Sequence, residues 1–177
     1  VERLIKVHIG AMDGISLMKP LRWRGLTDGE RRLSDEVFGA DLDTARIRIF
    51  SIPIWNRPFV PSGRLVVWPA MGAYADFSEA PLWIRSVLVH ELVHVWQAQS
   101  GVNLPLAKLC CGDGPAAYAY DPTDGRDFSA LNIEQQAMVV QHAYLAHRGG
   151  AAPHSAPAYA RILEAWPNSD LSRPRID

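Results

Sequence analysis

Cysteine is nearly absent. The chain has 2, adjacent at Cys110 and Cys111, which excludes a disulfide framework and a Cys-x-x-Cys metal knuckle. Two semi-buried thiols are the plain expectation. An excess of either charge is absent as well. With 18 basic residues against 19 acidic ones, the net charge is −1, so no overall basic surface points to nucleic acid or an anionic membrane. Long hydrophobic runs are also missing. The longest apolar region, residues 82–96, is broken by Arg85, His90, Glu91 and His94, and such a stretch does not span a bilayer. The first residues, VERLIKVHIGAMDG, lack the uninterrupted apolar run of a signal peptide. No internal repeat and no long linker is visible. What remains is a chain of 177 residues, 48% hydrophobic and 21% charged. That is the composition of one ordinary globular domain, long enough to bury a core without disulfides.

Local signals divide it. Residues 1–25 mix apolar and basic side chains around glycine and proline and read as an irregular arm. Residues 26–166 carry the domain and residues 167–177 a frayed tail. Thr27-Asp28-Gly29-Glu30 is a capping box: the threonine hydroxyl can accept from the third helical amide while Glu30 reaches back. Leu33, Val37 and Phe38 follow at helical spacing and Gly39 is a ready stop, which predicts a helix over 28–38. Residues 45–50 alternate charged and apolar side chains, as a half-buried strand does, and residues 64–68 form a second strand ended by Pro69. Pro53, Pro58, Pro61 and Gly63 punctuate a loop between them. Residues 72–77 suit a third, short edge strand. A helix then starts near Pro81, where a missing amide proton costs nothing, and closes at Gly101. It is apolar on nearly every face, the mark of a buried central helix. Residues 102–128 are rich in glycine, proline and aspartate and read as a long loop or lid. Ser129 or Asn132 can cap a further helix ended by Gly149-Gly150, and residues 157–166 suit one more. Strands segregated beside helices predict an α+β domain.

The polar residues of the central helix carry the chemistry. His90-Glu91-Leu92-Val93-His94 is His-Glu-x-x-His. Residues four apart share a helix face, so both imidazoles can grip one ion. Zinc is the natural choice for imidazole and carboxylate donors. Glu91 lies about 100° round the helix from His90, off the ion and beside a water held on it. Zinc lowers the pKa of such a water towards about 7, and the carboxylate can take its proton as general base. A surface helix with idle histidines is the plainer alternative, but it fits poorly where three titratable residues thread the most apolar helix of the chain, because buried histidine and glutamate need partners or a metal.

A catalytic site requires a third protein ligand and an open fourth position. Glu134, at the start of the next helix, suits best. An acid stabilised by the helix dipole is its plainer role. His142 is the next choice, with a half-buried histidine bonded to a carbonyl as its plainer role. His147 and the loop acids Asp113, Asp121, Asp124 and Asp127 complete the field. Gln97 and Ser100 stand where a metzincin would have glycine and histidine, which disfavours that arrangement. Oxyanion stabilisation falls to a phenol, with Tyr118 or Tyr120 preferred over Tyr144. The tryptophans, Trp23, Trp55, Trp68, Trp83, Trp96 and Trp166, read as core or groove-lining rings.

The run HELVHVWQAQSG, followed by NIEQQA and preceded by LTDGERRLSDEVFG and ARIRIF, resembles the small zinc-peptidase-like domains of Vgr-related proteins encoded with type VI secretion genes. The resemblance covers about residues 26–147. It implies a zincin-like, gluzincin-like α+β fold with His90, His94 and Glu134 as zinc ligands and Glu91 as catalytic acid/base. It also implies a protein or peptide substrate, a secretion-system component as partner, and a location that is cytoplasmic or reached by delivery through that system. Met138 departs from the pattern, since several gluzincins carry there an aspartate that orients a ligand histidine. Three readings follow: a zinc metallopeptidase, a non-catalytic adaptor that keeps the fold and zinc site, and a closed structural zinc site, for which the adjacent cysteines are poorly spaced.

Overall fold

The computed structural model describes residues 16–166. The tail over 167–177 and most of the arm over 1–25 lie outside the described residues. The chain runs β1 (Trp23–Gly25), α1 (Asp28–Phe38), β2 (Arg48–Ile52), β3 (Phe59–Ser62), β4 (Leu65–Pro69), α2 (Leu82–Gln99), α3 (Leu104–Cys111), α4 (Pro115–Tyr118), α5 (Ile133–His147) and α6 (Ala156–Ile162). It is a mixed α+β arrangement with one four-stranded sheet in the order β1-β2-β4-β3. The central pair, β2 and β4, is parallel, with Ile49 opposite Val66, and both outer pairs are antiparallel.

Helix α1 begins as the capping box requires. Thr27 Oγ1 accepts from Glu30 N at 3.1 Å, and Glu30 Oε2 accepts from Thr27 N at 2.8 Å. Glu30 does more than cap. Its fully buried carboxylate also accepts two bonds from Arg24 at 2.6 and 2.7 Å and one from Phe77 N at 2.8 Å. A buried carboxylate is tolerable only when its lone pairs are filled in this way. One side chain thereby ties β1, α1 and the approach to α2 together.

Four expectations about the sheet and its approaches need correction. The arm over 1–25 ends in strand β1, which pairs with β2. The first alternating strand begins at Arg48 rather than Ala45, because Asp43 Oδ1 accepts from Ala45 N at 3.2 Å and winds Thr44–Arg46 into a 3₁₀ turn. The Pro53–Gly63 loop contains β3, which tolerates Pro61 because it is an edge strand, where a missing donor costs no ladder bond. Residues 72–77 form no strand. Only Tyr74 makes an isolated bridge, to Leu17, while the Phe77 amide goes to Glu30 and Asp76 Oδ1 accepts from Ser78 N at 2.8 Å, starting another 3₁₀ turn.

Helix α2 is the spine of the molecule. Pro81 is its N-cap, one step ahead of the first turn, and Gly101, at φ +93°, follows its end. Leu88, Val89, Leu92, Val93 and Val95 are fully buried. Helix α5 lies along α2 and β3 packs on it from the sheet side. Asn132 caps α5, with Oδ1 accepting from Glu134 N and Gln135 N at 2.9 Å each, and Gln135 reaches back to complete the box. The stretch read as a loop or lid over 102–128 holds α3 and α4. Each has proline in its first turn, where it is tolerated but reads from sequence as a breaker. Trp68 and Trp166 are core residues, whereas Trp23, Trp55 and Trp83 stand at the surface. No helix among the described residues is long and apolar enough to cross a membrane.

Candidate metal centre

The packing of α5 on α2 brings Glu134 against the two histidines. Glu134 Oε2 lies 3.3 Å from His90 Nε2 and 3.4 Å from His94 Nε2. The three side chains can present donor atoms all within 4.8 Å of one another. All three residues are buried, at 9%, 7% and 5% exposure. The imidazoles stand nearly perpendicular, at 82° with centroids 4.9 Å apart, so each can turn an edge to a common point. Donors about 2.05 Å from a tetrahedral zinc ion sit about 3.3 Å from one another. The carboxylate-to-imidazole separations match that edge length, and the donor set suits zinc.

Glu91 lies on the same helix, buried at 5% exposure. Its Oε2 has no hydrogen-bond partner among the described residues. Burial pushes its carboxyl pKa up, and this outweighs the opposing charges of His90 and His94. Burial works in the same direction on Glu134, but there hydrogen bonds and charge from His90 and His94 prevail and hold the carboxyl well below the ordinary range. Two glutamates on packed helices are thus driven in opposite directions, Glu134 towards its charged form and Glu91 towards its neutral one.

Sequence reasoning missed Lys108 on α3. Its Nζ donates to Glu134 Oε1 at 2.6 Å, Asp113 Oδ1 at 2.7 Å and the Tyr118 hydroxyl at 3.0 Å. Burial alone would lower the ammonium pKa, but these three partners reverse the sign and raise it. No spacing rule could have found this contact, since it spans 26 residues and depends on α3 forming where a loop was expected. Lys108→Met leaves the buried Glu134 carboxylate short of its cation. It should destabilise the metal-free protein by about 1–3 kcal/mol, read by urea unfolding. Unchanged stability would show that the pair contributes nothing.

The remaining candidates separate. The Tyr118 hydroxyl reaches the centre through Lys108. The Tyr120 hydroxyl is engaged elsewhere, 2.7 Å from His142 Nδ1 and donating to the Tyr159 hydroxyl at 3.3 Å. His142 is therefore a partner of Tyr120 and is not one of the grouped donors. Asp113 is the counter-ion of Lys108 and Arg57. Asp121 and Asp124 bond Thr123 and Arg126 beside them at the surface. Cys110 and Cys111 are free thiols, one exposed and one half-buried.

Burial, then the charges of His90 and His154, lowers the His142 pKa to about 4. The unfolded imidazole titrates near 6.5. Between those values the unfolded chain holds a proton that the folded chain refuses. Stability should therefore fall as pH drops through that window and be untouched above it, by on the order of 2 kcal/mol after allowing for partial exposure. His142→Phe should flatten this acid limb in chemical denaturation across pH 4–7, and an unchanged limb would refute the assignment.

Comparison with known proteins adds an independent line. No family model matches the chain. The type VI secretion system spike protein VgrG2b of Pseudomonas aeruginosa is 29% identical over 156 residues, which cover 81% of this chain and 15% of that protein. The solved structure of the effector domain of Pseudomonas aeruginosa VgrG2b superposes with a TM-score of 0.60 at 27% identity, over 80% of each chain. The likeness links this chain to the Vgr-related proteins of type VI secretion. It spans a small part of VgrG2b as a whole and most of the solved effector domain.

Proposed function

We propose that the chain is a zinc-dependent peptidase with a zincin-like fold, in which His90, His94 and Glu134 hold the ion and Glu91 is the general base. The observation that carries this reading is the convergence of three buried donors, with the carboxylate at tetrahedral-edge spacing from both imidazoles, beside a buried carboxylate oxygen with no partner among the described residues. Bound zinc would supply Lewis acidity, lowering the pKa of a coordinated water and polarising a carbonyl. The protein's own groups do the rest. Glu91 accepts a proton as the nucleophile forms and returns it to the leaving amine, a task for which its raised pKa suits it. Glu134 stays ionised, held by Lys108 through the oxygen that does not face the histidines. Tyr118, whose hydroxyl accepts from Lys108 and keeps its own proton to donate, is the hydrogen-bond donor for negative charge developing at this edge of the site. The likeness to the VgrG2b effector domain supports an effector associated with type VI secretion, and the peptidase reading makes its substrate a protein or peptide.

The test couples metal to turnover. The purified chain should carry one zinc and cleave members of a peptide library. A chelator should abolish cleavage and added zinc should restore it. A zinc-free protein at full activity would overturn the reading.

A further inference from the structure

His94 Nδ1 lies 2.8 Å from Gln97 Oε1, one turn along α2. The Gln97 amide nitrogen donates to Ile133 O at 3.0 Å and to Gln136 Oε1 at 2.9 Å. The Gln136 amide nitrogen donates in turn to Phe128 O and Leu131 O, at 3.2 Å each. Gln97 is 1% exposed, so no solvent competes for its amide.

Which end of an amide is nitrogen must be decided from its partners, and here they decide it. Backbone carbonyls only accept. Phe128 O and Leu131 O therefore require the NH₂ group of Gln136 and turn its oxygen towards Gln97. That oxygen, together with Ile133 O, requires the NH₂ group of Gln97 and turns the Gln97 oxygen towards His94. An oxygen facing Nδ1 requires a proton on Nδ1. Three main-chain carbonyls, one at the start of α5 and two in the turn before it, thus select, through two amides, the state of an imidazole on α2.

We propose that Gln97 and Gln136 form an amide relay that locks His94 with its proton on Nδ1 and presents its Nε2 lone pair to the metal. Gln97 is then a positioning residue, serving in place of a carboxylate partner where position 138 is methionine. The inference rests on the zinc reading above only for its last step. The relay itself is a property of the protein without metal. With Nδ1–H engaged by Gln97, the ring position left for a second proton or an ion is Nε2, which faces the Glu134 carboxylate 3.4 Å away. A metal ion takes the place of a proton there, so the relay prepares the site for an ion.

The experiment reads the proton and the metal separately. Long-range ¹H–¹⁵N correlation of the histidine rings should find a proton on His94 Nδ1 in the wild type with or without zinc. Gln97→Leu should lose that preference and weaken zinc binding about 10–100-fold in competition with a chromogenic chelator. Gln97→Glu, which keeps an acceptor for Nδ1–H, should recover part of the affinity. Gln136→Leu touches no ligand and should shift both readouts in the same direction as Gln97→Leu, which keeps the test open should Gln97→Leu fold poorly. A wild type with His94 protonated at Nε2 alone would overturn the relay. So would a Gln97→Leu protein that keeps wild-type zinc affinity and the Nδ1 proton. A wild type that holds the Nδ1 proton yet binds no zinc would support the relay and overturn the zinc reading instead.

Discussion

Glu91→Gln should abolish hydrolysis and leave both zinc and fold in place. Glutamine keeps the volume and most of the hydrogen bonding of glutamate but cannot accept a proton. Loss of a general base typically costs about 10²–10⁴ in rate. The fold should survive because the substitution removes a liability. Glu91 is buried with one oxygen unpartnered among the described residues, and its charge is opposed by desolvation. A neutral amide of the same shape escapes that penalty, so the melting temperature should hold or rise. Zinc content should stay stoichiometric, because Glu91 is not one of the grouped donors. Equal cleavage by mutant and wild type would exclude Glu91 as the base. If neither protein cleaves any peptide but both bind the same secretion partner equally, the adaptor reading takes first place.

The parts of this molecule that could be read from sequence are those set by contacts within one or two helical turns. The Thr27–Glu30 box, the Asn132 cap, the apolar faces of α2 and the four-residue spacing of His90 and His94 all belong to this class. Glu134 could be nominated as an acid after a long insertion, on a helix expected to pack against the first, although the helix dipole alone also accounts for an acid at a helix start. The illegible parts depend on partners far along the chain. Strand β3 contains Pro61, which means a break unless the strand is known to lie at an edge. Residues 72–77 have strand-like composition, but the Phe77 amide is taken by Glu30, 47 residues away. Helices α3 and α4 carry prolines in their first turns, which a sequence reading takes for loop. Lys108 is invisible for the same reason, since its role exists only once α3 has delivered it to Glu134. Gln97 stood out beside the motif, but its function depends on Gln136 and on three carbonyls of another segment.

Removing a ligand should cost far more metal affinity than removing any neighbour, which makes the third ligand decidable. His90→Ala with His94→Ala strips two of three donors and should eliminate stoichiometric zinc. Glu134→Ala should lower affinity by at least about 10²-fold, the upper end of what loss of a mere supporting hydrogen bond produces. It also leaves Lys108 facing the histidines with no carboxylate between them, and that added positive charge repels a dication. His142→Ala should keep the zinc, since His142 is bonded to Tyr120 through Nδ1 and lies outside the donor group. The two alanine variants therefore make opposed predictions in one chelator titration. Zinc lost from His142→Ala and kept by Glu134→Ala would reverse the assignment. The same titration in acid adds a check on the donors. Imidazole must be unprotonated to bind metal, so wild-type affinity should fall steeply once pH drops below the histidine range. Glu134 is held ionised far below that range, so the fall should follow the two histidines rather than the carboxylate.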